Sequence, residues 1–243
     1  MKTLNNKIIL LLILCMAIGG LLMYFSIPNV RSIFSQVVGQ KSVSGVIKQI
    51  EPGVMGRLKP YLIKGNSETL PSKLALIALK DERTLELWGY WKDRWIHIKD
   101  YPILAASGNL GPKLKEGDRQ VPEGIYKIIG INPNSYYHLA MLIDYPNTFD
   151  KEKAKMENRS NLGGDICIHG KSASAGCLAM GDEAIEELFY MVVKTDMKNT
   201  KVIISPYDFR NKSKVTSYLS KETGWMPELY DMIKKELGEF MKP

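Results

Sequence analysis

The feature that most constrains how this chain can fold is a succession of short strand-like runs between residues 73 and 206, each closed by turn formers. Residues 74–79 are wholly apolar, and Asp81-Glu82-Arg83 turns the chain into a second run at 84–88. Lys92-Asp93 then separates that run from Trp95-Ile96-His97-Ile98. Further runs rich in β-branched and aromatic residues lie at 125–131, 136–143, 165–169 and 201–205. This spacing predicts a mainly β, mostly antiparallel domain of sandwich or barrel type, with flanking α-helices. One helix is expected from Asp182 as its cap, with Glu183, Glu186 and Glu187 in the first turns and Lys194 and Lys198 towards the end. Its apolar face would be Ile185, Leu188, Phe189, Val192 and Val193. A second begins near Pro227, with Leu229, Tyr230, Ile233, Leu237 and Phe240 at helical spacing, and makes 207–243 a helical appendage.

Upstream of the β-rich region, residues 8–25 form an uncharged, overwhelmingly apolar run of 18, just long enough to cross a bilayer as a helix. Lys2 and Lys7 make residues 1–7 a cationic head that would stay in the cytoplasm, with everything after residue 25 on the far side. The expectation is an N-terminal transmembrane signal anchor in the inner membrane. A cleavable signal peptide ending near Ala17-Ile18-Gly19 is the alternative. Residues 26–72 hold Pro, Gly, Ser and scattered charge and read as a linker or stalk, with a short helical turn or strand at 43–50. The formal charge of +7 suits an anionic partner. No dense basic run with interleaved aromatics is present, so nucleic acid is not an expected partner.

Three cysteines occur, and Cys15 sits in the apolar run. Cys167 and Cys177 remain, and in an oxidising compartment such a pair can be a structural disulfide. Their surroundings offer another reading. Residues 165–169 form a strand with Ile166 and Ile168 on one face, Cys167 and His169 on the other. A run of Gly, Ser and Ala follows, which cannot fill a core, and then Gly176-Cys177 before the acidic start of a helix. A histidine leaving a strand and a cysteine ending a small-residue loop suit a thiolate nucleophile and its base. Consecutive amides at Gly176 and Cys177 could point at an oxyanion. No His/Cys/Asp/Glu set has metal-site spacing and no phosphate-binding glycine loop appears, so neither metal nor cofactor is expected.

His-Gly-x-x-x-Ser-x-Gly-Cys, read at His169, Gly170, Ser174, Gly176 and Cys177, resembles the signature of the L,D-transpeptidase (YkuD-type) catalytic domain. Leu178-Ala179-Met180 is similar to a branch ending Gly-Cys-x-Ala-Met, which includes enzymes that release a lipoprotein from the wall. Residues 114–126 resemble the family's Gly-Asp-x-x-Thr-Pro-x-Gly-x-Tyr segment, with Val121 in place of the Thr. Tyr137-His138-Leu139 and Tyr145-Pro146-Asn147 also resemble that branch, and the likeness covers residues 73–206. It implies a catalytic domain over that span, acting by cysteine-dependent acyl transfer at L,D-peptide bonds of peptidoglycan stem peptides. Cys177 would be the nucleophile and His169 its acid and base, oriented by a backbone carbonyl near Gly170. Amides around Gly176 would hold the oxyanion, and a wall-attached lipoprotein would be a possible partner.

The chain departs from the family where Ala175 replaces a histidine common before Gly-Cys, which leaves transpeptidation and hydrolysis both open. A non-catalytic wall-binding module of the same fold is the alternative function. Ser174, Ser172 and His138 are expected to bind substrate or brace the cysteine loop, with a partly exposed structural histidine the other reading of His138. Lys171 and Arg119 would meet a substrate carboxylate or simply be solvated, and His97 reads as structural. Cys167 reads as a buried small hydrophobe, or as the partner in an inhibitory bridge to Cys177.

Overall fold

The computed structural model describes residues 40–63, 69–211 and 224–242. The run at 8–25, expected to be the membrane anchor, lies outside them, as does the head at 1–7. Among the described residues no helix is long and apolar enough to cross a membrane.

Nine strands form one sheet: β1 (Lys73–Leu79), β2 (Thr84–Trp91), β3 (Arg94–Pro102), β4 (Ala105–Ala106), β5 (Gly124–Ser135), β6 (His138–Ile143), β7 (Cys167–His169), β8 (Leu178–Ala179) and β9 (Thr200–Ser205). Their order is β3-β2-β1-β9-β5-β6-β7-β8-β4. Pairing is antiparallel except at β1–β9 and β7–β8. Of the sandwich or barrel expected from the strand spacing, barrel closure does not form. The edge strands β3 and β4 do not pair with each other, and the sheet turns instead within β5. That strand pairs β9 over residues 124–127 and β6 over 128–135, with register shifts at Ile128/Gly130 and Asn132/Ser135. Such irregularities bend and twist a strand, so β5 carries the sheet from one wing to the other.

The first wing is covered on both faces, which explains why residues 74–79 are apolar without alternation. Leu74, Leu76 and Ala78 enter one core with α1 (Val43–Leu62) and α3 (Asp182–Thr195). Ala75, Ile77 and Leu79 enter the other with Trp88, Phe240 and α4 (Met226–Leu237). A further helix, α2 (Thr148–Met156), starts at a capping box in which Asn147 and Asp150 each accept the other's backbone amide.

Within the linker expected at 26–72, the short turn or strand at 43–50 is corrected to α1, twenty residues long, while 26–39 and 64–68 lie outside the described residues. Val46, Ile47, Ile50, Val54, Leu58 and Leu62 recur at three- and four-residue intervals and are buried. Pro52 and Pro60, which disfavour a helix interior, mask that periodicity in the sequence. Tertiary contacts hold it: Arg57 bridges Glu186 and Glu187 of α3, and Glu51 meets Lys194 and the Tyr190 hydroxyl.

Candidate active site

The site is assembled where β7 lies between β6 and β8. His169 pairs with Ala140 on one side and Ala179 on the other. Ile166 and Ile168 point into the core, while the His169 ring is held on the opposite side and is nearly inaccessible. The chain then leaves the sheet at Gly170, whose amide donates to the Leu139 carbonyl. A Cβ at Gly170 would lie 2.7 Å from both Asp182 Oδ1 and the Tyr137 carbonyl, so this crossing of strand, hairpin and helix admits only glycine. The loop returns through Gly176, at φ 111°, and packs against the backbone of residues 119–120.

His169 Nδ1–H donates to the Gly170 carbonyl at 2.6 Å, which leaves Nε2 as the ring nitrogen able to act on Cys177. The carbonyl expected to orient the histidine is thus the one found. Burial would lower the His169 pKa, but its bonds to the Cys177 sulfur and to that carbonyl, with the thiolate's charge, hold it above the ordinary value. Cys177 moves the other way, down to about 5. The largest cause is a hydrogen bond from the Cys167 thiol. His169 and the Cys167 amide add to it, at 3.3 Å for the amide, and together they outweigh burial. Both cysteines are free and half-buried. The reading of Cys167 as a buried small hydrophobe is therefore corrected: it is only half-buried, and its amide donates to the Cys177 sulfur.

Ser174 braces the loop: its hydroxyl donates to the Cys177 carbonyl at 2.6 Å and accepts the Cys177 amide at 3.2 Å. The Gly176 amide donates to Ser107 Oγ at 2.6 Å. The two amides expected to face an oxyanion are thus occupied by serine hydroxyls, with Ser107 and Ser174 3.3 Å apart. Ser107 follows the edge strand β4, which pairs with β8 behind the cysteine.

Tyr137 is the other residue that sequence reasoning missed. Its ring lies over His169, centroids 4.5 Å apart and tilted by 31°. A positive φ of 73° at His138 breaks strand alternation at the β5–β6 turn. His138 itself points elsewhere, its Nε2 3.0 Å from Glu186 Oε1, in a cluster with Arg57. Asp182 is not the helix cap. Gly181 holds that position, and the Asp182 carboxylate takes the Lys171 amide and ammonium at 2.9 and 2.7 Å. Lys171 is thus engaged, whereas Ser172 and Arg119 are exposed. His97 bonds Asp100 and meets the edge of Trp88, as a structural residue does. A separate cleft of about 620 Å³, lined by Lys73, Tyr90, Trp95, Lys127 and Phe149 among others, shares no residue with this site.

The model of the L,D-transpeptidase catalytic domain (YkuD) matches residues 72–204 of the chain. An Escherichia coli (strain K12) protein carrying the name "Putative L,D-transpeptidase YafK" is 32% identical over 146 residues, 59% of this chain and 57% of the relative. The chain therefore spans a little over half the length of that curated relative. Among solved structures, the helical cell shape determining protein Pgp2 from Campylobacter jejuni aligns at 22% identity with a TM-score of 0.47, over 56% of this chain and 48% of that one. Bd1075 of Bdellovibrio bacteriovorus aligns at 23% identity with a TM-score of 0.41, over 58% of this chain and 51% of its own.

Proposed function

The chain belongs to the L,D-transpeptidase catalytic domain (YkuD) family, and from that premise we propose that it is a cysteine acyltransferase or hydrolase acting at L,D-peptide bonds of peptidoglycan stem peptides. The observation that carries this reading is the His169 ring, fixed by the Gly170 carbonyl, acting on Cys177, whose neighbours bring its pKa down to about 5. The thiolate attacks the carbonyl carbon of the scissile bond, and the His169 imidazolium gives its proton to the departing amine. A thioester then joins Cys177 to the acyl group. An incoming amine or water loses its proton to His169 as it attacks, which frees the product and restores the thiolate. The Gly176 and Cys177 amides reach an oxyanion once a substrate carbonyl displaces the hydroxyls of Ser107 and Ser174.

Ala175, standing where a histidine is common, and the Leu178-Ala179-Met180 ending support water as the acceptor, with release of a wall-linked lipoprotein as one outcome. The apolar run at 8–25 behind Lys2 and Lys7 supports anchorage in the inner membrane with the domain outside the cytoplasm. The test is incubation of the protein with purified muropeptides and mass analysis of the products. Shortened stem peptides identify hydrolysis and new cross-linked masses identify transfer. Unchanged muropeptides beside a reactive Cys177 would leave only a wall-binding module.

A further inference from the structure

The mechanism above leaves one side chain in contact with Cys177 Sγ without a task. β7 and β8 run parallel, with Ile168 opposite Leu178 and His169 opposite Ala179. One step earlier the same register sets Cys167 against Cys177. The Cys167 amide donates to Cys177 Sγ at 3.3 Å, the register brings the Cys167 side chain alongside the same sulfur, and the Asp165 carbonyl lies 3.8 Å from it. Because Cys167 and His169 share a face of β7, an imidazole and a second thiol lie on the same side as the amide that donates to that sulfur, with the Asp165 carbonyl as the acceptor beside it.

We propose that Cys167 is a positioning residue for Cys177, its S–H donating to Sγ so that the sulfur is kept as an aimed thiolate; this rests on Cys177 being the nucleophile. Two thiols in contact do not both ionise, and the charge settles on the one with more donors. Cys177 has His169 besides its neighbour, so it ionises. Cys167, facing that anion from a half-buried position, stays protonated well above the ordinary thiol range. A hydrogen bond to an ionised acceptor is about twice as strong as a neutral one, so loss of this donor is expressed mainly in the thiolate.

The experiment is the pH dependence of Cys177 alkylation by a small haloacetamide in the full chain. It compares wild type, Cys167→Ala and Cys167→Ser, with labelled residues assigned by peptide mass. The expected result is a midpoint raised by at least about one pH unit in Cys167→Ala, with Ser recovering part of the shift because its hydroxyl also donates. A role confined to packing predicts no such rescue. Should Ala prove unstable in thermal melts, Cys167→Val supplies an apolar residue suited to a strand and must show the same raised midpoint. A midpoint unmoved in a folded Ala or Val variant, or a Ser variant identical to Ala, overturns the proposal. Alkylation needs no natural substrate. Muropeptides left intact by wild type would therefore count against the proposed function, while the midpoint shift alone decides the role of Cys167.

Discussion

An isolated thiol is a few per cent ionised at neutral pH and a poor match for catalysis, whereas a thiol held near 5 is almost wholly thiolate there. The sign follows directly: lowering the pKa moves reactivity to lower pH. Alkylation of Cys177 should therefore climb with a midpoint near pH 5 and be flat by neutrality, measured as pseudo-first-order rates across a pH series. His169→Gln removes one donor and the cationic partner, so the midpoint rises and muropeptide turnover falls by at least about two orders of magnitude, the usual scale for general acid–base catalysis. His138→Gln should leave the alkylation profile in place, since that imidazole is spent on Glu186. An exchange of the two signatures would assign the base to His138. Cys177→Ala should abolish turnover while far-ultraviolet circular dichroism stays unchanged. At this scale His169, Gly170, Ser174, Gly176 and Cys177 were legible because they fall within one short stretch whose small residues have no packing role. Tyr137 and Ser107 were not. Each reaches the site through strand pairing with a distant segment; nothing local marks Ser107, and the Tyr137-His138-Leu139 resemblance assigns Tyr137 no place beside His169.

Element by element, legibility follows length and uniformity. β1 and β2 announce themselves by apolar runs, and α3 and α4 by apolar faces that the structure buries. β4 and β8, two residues each, are too short to carry a pattern, yet they hold Ser107 and Cys177 together. α1 was legible only as a short turn or strand at 43–50, because two prolines fall inside a helix whose stability comes from packing rather than propensity. Leu58→Ala tests that packing. The side chain is fully buried, so the change should cost about 2–5 kcal/mol in chemical denaturation, whereas a side chain in a solvated linker would cost nothing measurable. Gly170→Ala tests the crossing of hairpin, loop and helix. Its methyl group would collide with the Tyr137 carbonyl, a backbone atom that cannot swing aside, and would displace the carbonyl that orients His169. Turnover should drop at least tenfold with the Cys177 alkylation midpoint raised towards that of His169→Gln. A midpoint equal to wild type would show that the loop absorbs the methyl group without moving the relay.

For the molecule as a whole, residues 8–25 lie outside the described fold, and topology rests on the physics of that run. Eighteen apolar residues at about 1.5 Å each span roughly 27 Å, close to the thickness of a bilayer's hydrocarbon core. Lys2 and Lys7 precede the run, and cationic flanks are retained in the cytoplasm. These two facts together predict that a reporter requiring export, fused after Pro243, is active, while one requiring the cytoplasm is silent. They also predict that the protein stays with membranes through high-salt and carbonate washing, because no ionic contact holds it there. Cleavage is the competing outcome, and it has its own signature: a soluble mature form whose N-terminus lies near residue 20. The distinction bears on chemistry as well as address. An uncleaved anchor confines the thiol to wall material within reach of the segment between the bilayer and α1, whereas a released domain would act throughout the compartment. Replacing Ile13 and Leu14 by lysines should abolish membrane retention and export together if the run is an anchor, since charges at a helix centre cost several kcal/mol on insertion. A protein that still exported and still sedimented with membranes after that change would refute the anchor.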